Sequence, residues 1–288
     1  MRHDKSIVKQ YDYVFVDEHG LVNYADWEYI FINLVRANTI IISLGDHRQL
    51  LPIGEEDSFI DSDIFKIMFT QKVFNPSNFR NNFTKKFYDD LMNLDSSALN
   101  DVMERFYDKK EKRLIFGNKN TRVNVCSTHK TRIAVNKTYI DSFKNPKMVG
   151  DFVYPSDTPS DLIVQVLPGK NACMLHQYGL YSKSVFSFKR INGDNVELYG
   201  YDLEDETIDY DDIYTVPLEN FNNGFFDYGY CFTLYSVQGA SLRAFKVHEP
   251  ERMYEGRAMY TLVSRLKEEL LDDGDDDDSE DCIMIRFD

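Results

Sequence analysis

The chain has little cysteine, and what it has is dispersed. Cys126, Cys173, Cys231 and Cys282 form no CxxC pair and sit at no ligand spacing from a histidine, which excludes a zinc framework and a disulfide-stapled scaffold and leaves reduced thiols. Long apolar runs are also missing. Stretches such as "TIIISL" at 39–44 are far below the roughly 20 residues that cross a bilayer, and "MRHDKSIVKQYD" has no signal-peptide core. A reducing, cytoplasmic or nuclear-type compartment and no membrane partner are expected. Tryptophan is down to one, Trp27, read as helix packing rather than a base-stacking platform.

Positive charge is short too: the net charge is −15. The deficit is local, because "EELLDDGDDDDSED" at 268–281 holds ten acids and no base, and the remaining chain carries only −5. Net charge therefore does not exclude a basic face for nucleic acid. The acidic run reads as a disordered tail over 268–288.

What is present is a globular composition. At 288 residues, 43% hydrophobic and 14% aromatic, the chain can fill more than one core. "YVFV" at 13–16 and "TIIISL" are continuous apolar runs, as in strands buried on both faces of a parallel sheet, and "ADWEYIFINLVRA" between them has helical spacing. That is a strand, helix, strand unit of an α/β domain. Helical spacing returns over 84–108, "RVNVCST" at 122–128 reads as a buried strand, and "HKTRIAVNKTYIDSF" reads as a helix after it. From about 149 to 224 the texture becomes β-hairpin-like, as in "VFSFKRINGDNVELYGYDL", and 225–267 returns to strand and helix.

Candidate chemistry begins where "YVFV" runs into Asp17 and Glu18, an acid for magnesium beside an acid that could activate water. The next strand ends in "LGDHRQLLPI" at 44–53, where Gly45 permits a tight turn, Asp46 can hold the loop, and the amide of Gln49 suits a γ-phosphate or an attacking water. Both groups fall at carboxyl ends of adjacent strands, where open α/β sheets place ligands. Further on come "NPSNFRNNF" with Arg80, "FTLYSVQGAS" with Gln238 and Gly239, and "AMYTLVSRLK" with Arg265. The histidines, His19, His176 and His248 among them, read as ordinary loop residues without a partner pattern.

This order of motifs, across residues 10–267, resembles the later motifs of superfamily 1 helicases, and within them the RecD and Dda type of DNA helicase often found in viruses and phages. The resemblance implies a RecA-like P-loop NTPase fold. Residues 1–83 would be the remnant of a first RecA-like domain, 84–148 and 225–267 a second, and 149–224 a small barrel-like insertion. It implies ATP and Mg2+ as cofactors and single-stranded DNA, with RNA the alternative, as partner, in a DNA replication or repair setting and, for a viral protein, inside the host cell. By the family pattern Asp17 binds magnesium, Glu18 is the general base, Gln49 senses the γ-phosphate, and Arg80 and Arg265 neutralise charge on the transferred group. Gln238 and Gly239 would couple the nucleotide to the strand, and Thr128, His129, Asn136, Thr233 and Ser236 would hold its phosphates. Tyr235 and Ser236 stand where the family usually has His and Lys, which removes a cationic contact, and "QLLP" replaces "QLPP".

One element of that pattern is missing from these residues. A phosphate-binding loop needs GxxxxGK followed by Ser or Thr, and the only Gly-Lys, in "LPGKN" at 167–171, has Val164 and Asn171 at the outer positions. The expectation is the carboxyl-terminal part of a helicase, a split product or a gene begun at an internal Met. The loop would come from an upstream segment or a separate chain; a remnant that holds single strands or a replication partner without hydrolysis is the alternative. Such a piece should expose apolar faces of "YVFV" and "TIIISL" and be poorly soluble or dimeric. The tail's charge predicts that deleting residues 272–281 raises affinity for an oligothymidylate at low salt and loses that gain as salt rises; unchanged affinity in an anisotropy titration refutes it.

Overall fold

The computed structural model describes residues 12–34, 39–69, 81, 83–167, 172–221 and 224–267. Arg80, the acidic tail and "LPGKN" beyond Leu167 therefore lie outside the described residues. The amino-terminal unit is β1 (Tyr13–Val16), α1 (Tyr24–Leu34), β2 (Ile40–Ser43) and α2 (Asp63–Met68). β1 and β2 pair in parallel from Tyr13 opposite Ile40 to Val16 opposite Ser43, the crossover that the apolar runs and the intervening helical period predict. Trp27 is buried, stacked 5.0 Å from Phe59 and 5.7 Å from Phe31, with Phe65 completing the cluster. The apolar runs alone predict burial on both faces, whereas a chain lacking the loop-bearing segment is expected to expose apolar faces of these strands, and the structure agrees with the second. Only one face is covered by this aromatic cluster, and Phe15 on the other is 65% exposed beside Tyr13 and Ile40.

The second unit starts with α3 (Lys85–Met92) and α4 (Ser96–Phe106), capped by the side chains of Thr84 and Asp95, and continues through β3 (Tyr107–Asp108), β4 (Arg113–Phe116), β5 (Asn124–Cys126) and α5 (His129–Asp141). Caps of this kind satisfy orphan amides at helix starts.

The chain then leaves for an insertion made of β6 (Pro146–Val149), β7 (Phe152–Pro155), β8 (Ile163–Val166), β9 (Val185–Asn192), β10 (Asn195–Asp202), β11 (Thr207–Pro217), α6 (Leu218–Phe221) and β12 (Phe226–Tyr228). β6 and β7 form a hairpin, and the others an antiparallel sheet in the order β11-β10-β9-β8-β12. The "INGDN" hairpin is as read, with Asn192 opposite Asn195. The insertion, expected over 149–224, has strands that run from Pro146 to Tyr228, and among the described residues β11 and β12 are the edges of its sheet. It has its own core, including Val164, Phe188, Leu198, Val216 and Phe221.

On return, β13 (Cys231–Thr233), α7 (Leu234–Val237), β14 (Phe245–Val247) and α8 (Gly256–Val263) complete the second unit. Its sheet runs β13-β5-β14-β4-β3, with the first three strands parallel. Phe106, Phe116 and Phe245 stack in succession at 4.3 and 4.7 Å. α3 lies against α8 so closely that a Cβ on Gly256 would sit 2.1 Å from the Met92 carbonyl oxygen. Backbone cannot move aside cheaply. Gly256→Ala is thus expected to cost about 1–3 kcal/mol in urea denaturation; an unchanged midpoint would show that α8 does not pack this way.

Candidate functional site

β1 delivers Asp17 and Glu18 at its carboxyl end. Glu18 is held at φ 49°, a left-handed conformation costly for a residue with a Cβ, and its amide donates to Asp17 Oδ1 at 2.9 Å. The acid pair is tied to β2 by the His19 amide on the Leu44 carbonyl, at 2.9 Å, and by His19 Nδ1 against Ser43 Oγ, at 2.8 Å. His19, read from sequence as an ordinary loop residue, is a strut of the site, and its Nε2 is buried without a partner.

The loop after β2 is clamped by α8. The Tyr260 hydroxyl donates to Asp46 Oδ2, the Leu50 amide to Thr261 Oγ1 at 3.1 Å, and Arg257 Nη1 to the carbonyls of His47 and, at 3.0 Å, Gln49. Burial pushes the Asp46 carboxyl up. The Tyr260 hydroxyl and the amide and guanidinium of Arg48 outweigh it and leave Asp46 below the usual carboxylate value. This fixes the backbone around Gln49, which is 7% exposed and whose Oε1 meets no partner. Asn81 adds a second tie, donating to the Leu266 carbonyl at 2.9 Å.

α7 ends at Gln238, 5% exposed with both amide atoms lacking partners. Gly239 follows at φ 90°, and a Cβ there would lie 3.5 Å from Glu18 Oε1. The Glu18 carboxylate of the first unit therefore lies next to the Gln-Gly turn of the second, with room there for a methyl group. Arg265 is wholly buried behind this turn, its Nη1 donating to the Ala240 carbonyl at 3.1 Å and its Nε to Thr261 at 3.3 Å. That guanidinium braces the turn rather than presenting itself to the cleft.

The expected strand-contacting residues divide. Thr128 caps α5 through the Thr131 amide and touches Glu249 at 3.3 Å, and His129 beside it is exposed. Thr233 caps α7, its Oγ1 2.8 Å from Ser236 Oγ. Asn136 is spent inside the fold: its Nδ2 donates to the Tyr228 carbonyl at 3.1 Å and its Oδ1 accepts from the Cys231 amide at 2.9 Å. No polar end of Asn136 is left for a phosphate. Arg257, Tyr260 and Thr261 carry the clamp although sequence reading passed over them; their signal is the helical spacing that puts 257, 260 and 261 on one face.

No family model matches this sequence and no curated protein matches it. Solved structures do match. Forked-DNA-unwinding Pif1 helicases align with 93% of this chain and 70% of theirs at a TM-score of 0.57 and 11% identity. The Bacteroides Pif1 bound to single-stranded DNA gives 93% and 71%, TM-score 0.55 and 13% identity, and Pif1 from Candida albicans 91% and 71%, TM-score 0.57 and 13% identity. The chain shares the fold of these helicase structures. Its α/β units are RecA-like, as the motif order implies. Among the described residues no helix is long and apolar enough to cross a membrane, and no cluster of three or more metal-ligating side chains forms.

His248, another histidine read as partnerless, lies next to Glu249 in the Thr128 network, with Nε2 3.0 Å from Asn124 Oδ1 and 3.3 Å from Arg113 Nη1. Burial first, then the charges of Arg113 and Lys246 against those of Glu249 and Glu111, lower its pKa from 6.5 to about 4. The unfolded chain therefore takes up the proton first, so the contribution of His248 to stability is complete above pH 6.5 and is lost as pH falls toward 4. Urea midpoints between those limits should fall less steeply for His248→Gln than for the unmodified chain; identical slopes refute this.

Proposed function

We propose that this chain is part of an ATP-dependent superfamily 1 DNA helicase, of the RecD and Dda type, that couples hydrolysis to movement along single-stranded DNA and to duplex unwinding. The carrying observation is the approach of Glu18 to the Gln238–Gly239 turn, where a Cβ on Gly239 would lie 3.5 Å from the carboxylate, together with the unpartnered buried amides of Gln49 and Gln238. Buried amide atoms without partners cost about 1–3 kcal/mol each. A triphosphate and its attacking water would relieve that cost, Gln49 toward the γ-phosphate and Gln238 toward the moving turn. The donor set also fits magnesium, which usually takes one or two carboxylates plus phosphate oxygens and water: Asp17 would hold it, and the ion would offset charge on the phosphates. Glu18, on its strained backbone, would take the proton of the attacking water.

Support for the DNA partner comes from the similar structures, described as bound to single-stranded DNA or acting on forked DNA, and support for ATP from a Bacteroides Pif1 held with ADP-AlF3, at a TM-score of 0.52. In this reading the phosphate-binding loop comes from outside these 288 residues, from an upstream segment or a second chain. Arg265 would act on the phosphates only after releasing the Ala240 carbonyl, so the turn and the arginine move together.

The test measures oligothymidylate binding and strand-stimulated ATP hydrolysis by the chain, with and without a loop-bearing segment. Strand binding by the chain alone, and hydrolysis with the segment that drops roughly 10²–10⁴-fold in Glu18→Gln at unchanged strand affinity, are expected. A chain without strand affinity, or turnover indifferent to Glu18→Gln, sinks the proposal. Strand binding with no turnover under any condition would leave the non-catalytic module.

A further inference from the structure

The β8–β9 connection of the insertion reaches across to the cleft. Its Lys183 stands at φ 71°, unusual for a residue with a long side chain, and is pinned there by its amide on the Val166 carbonyl at 2.9 Å and by the neighbouring Ser184 amide on Tyr181 at 3.0 Å. From this position Nζ donates to the Tyr235 carbonyl at 3.3 Å, within the Leu234–Gly239 segment that ends in the Gln-Gly turn. Residues 234–239 carry no charge of their own. Desolvation holds the Lys183 amine below its ordinary value, and the one charge that raises it is Glu18.

Among the described residues, three arginines near this turn are committed. Arg48 pairs with Asp46, Arg257 binds two loop carbonyls, and Arg265 binds the Ala240 and Thr261 carbonyls. Lys183 instead holds a single neutral carbonyl, and a flexible ammonium can exchange such a bond for a phosphate oxygen with a gain in charge pairing. Gln49 and Gln238, both more than nine-tenths buried, leave amide atoms without partners in the two loops that meet here.

We propose that Lys183 is a phosphate-binding residue of the cleft, delivered by the insertion to the polyphosphate of a nucleoside triphosphate between Glu18 and the Gln238–Gly239 turn. The inference rests on the nucleotide reading of the cleft and adds that the insertion senses the nucleotide directly. Filling the cleft would draw Lys183 from Tyr235 to phosphate, and with it the foot of β8 and β9.

The test titrates the full chain together with the loop-bearing segment throughout, with Mg2+, against ribose-labelled fluorescent ATP and ADP, comparing it with Lys183→Gln and Lys183→Arg. Lys183→Gln should weaken labelled ATP roughly tenfold, and ADP less, while Lys183→Arg stays within about threefold. Equal affinities for Lys183→Gln and the unmodified chain overturn the inference and leave the cleft standing, whereas no labelled-nucleotide binding by the unmodified chain removes both. An equal loss in both variants points to loop conformation rather than charge and overturns it. Weakened oligothymidylate binding with unchanged nucleotide affinity assigns Lys183 to the strand and overturns it too.

Discussion

The grip of α8 on the loop after β2 is the constraint on which the rest of the site depends. A two-stranded parallel sheet over a small aromatic cluster is marginal by itself, and its outer face, with Phe15 and Tyr13, has no covering layer among the described residues. Position comes from the second unit: Tyr260 on Asp46, Thr261 on the Leu50 amide and Arg257 on two carbonyls fix the loop, and His19 passes that position on to Asp17 and Glu18. Asp46 binds through a buried, charge-assisted hydrogen bond, which is stronger than a neutral one. The acid pair is therefore held by residues more than 200 positions further along the chain.

Costs accumulate where the two units meet. Glu18 sits in a left-handed conformation, Gln238 hides two unpartnered amide atoms and Gln49 one. Elsewhere in the chain buried polar side chains are mostly matched, as Asn136 and Asn124 are. Unpartnered buried atoms occur elsewhere too, at Glu55 and Arg132, but His19, Gln49 and Gln238 bring four of them to the residues around the acid pair. The same contrast separates Asn136, which is structural, from Gln238, which is available.

Much of this was legible in the residues. The crossover from β1 to β2, the hairpin at "INGDN" and the order of motifs follow from period, β-branching and turn chemistry, because those signals are local. The exposed face of "YVFV" was legible only through the missing phosphate-binding loop, since an apolar run by itself states that a strand can be covered and not whether anything covers it. The role of His19 was hidden because it depends on Ser43, 24 residues away, and the commitment of Asn136 because it depends on β12 and β13. Lys183 is the extreme case: nothing near it in sequence marks it, and only the return of the insertion across the Gln-Gly turn gives it meaning.

How the insertion is attached bears on what it can transmit. At its root it is rigid. Tyr230 stacks on Tyr139 at 4.9 Å and accepts from the Ile163 amide at 3.1 Å, and Arg122 pairs with Asp161 at 2.8 Å. At its far end, beyond β8, a single hydrogen bond from Lys183 to Tyr235 reaches the turn. The tip of the β10–β11 hairpin is tied to the second unit as well, through Glu204 with Lys267, Asp205 with Arg243 and Glu206 with Thr121 and Arg122. The Lys183 end lies beside Glu18 and Gln238, where charge would arrive, and the root joins α5, whose first turn carries Thr128 and His129. One set of contacts thus joins the Gln-Gly turn to α5 by way of the insertion, with Lys183 on Tyr235 at one end and Tyr230 stacked on Tyr139 at the other.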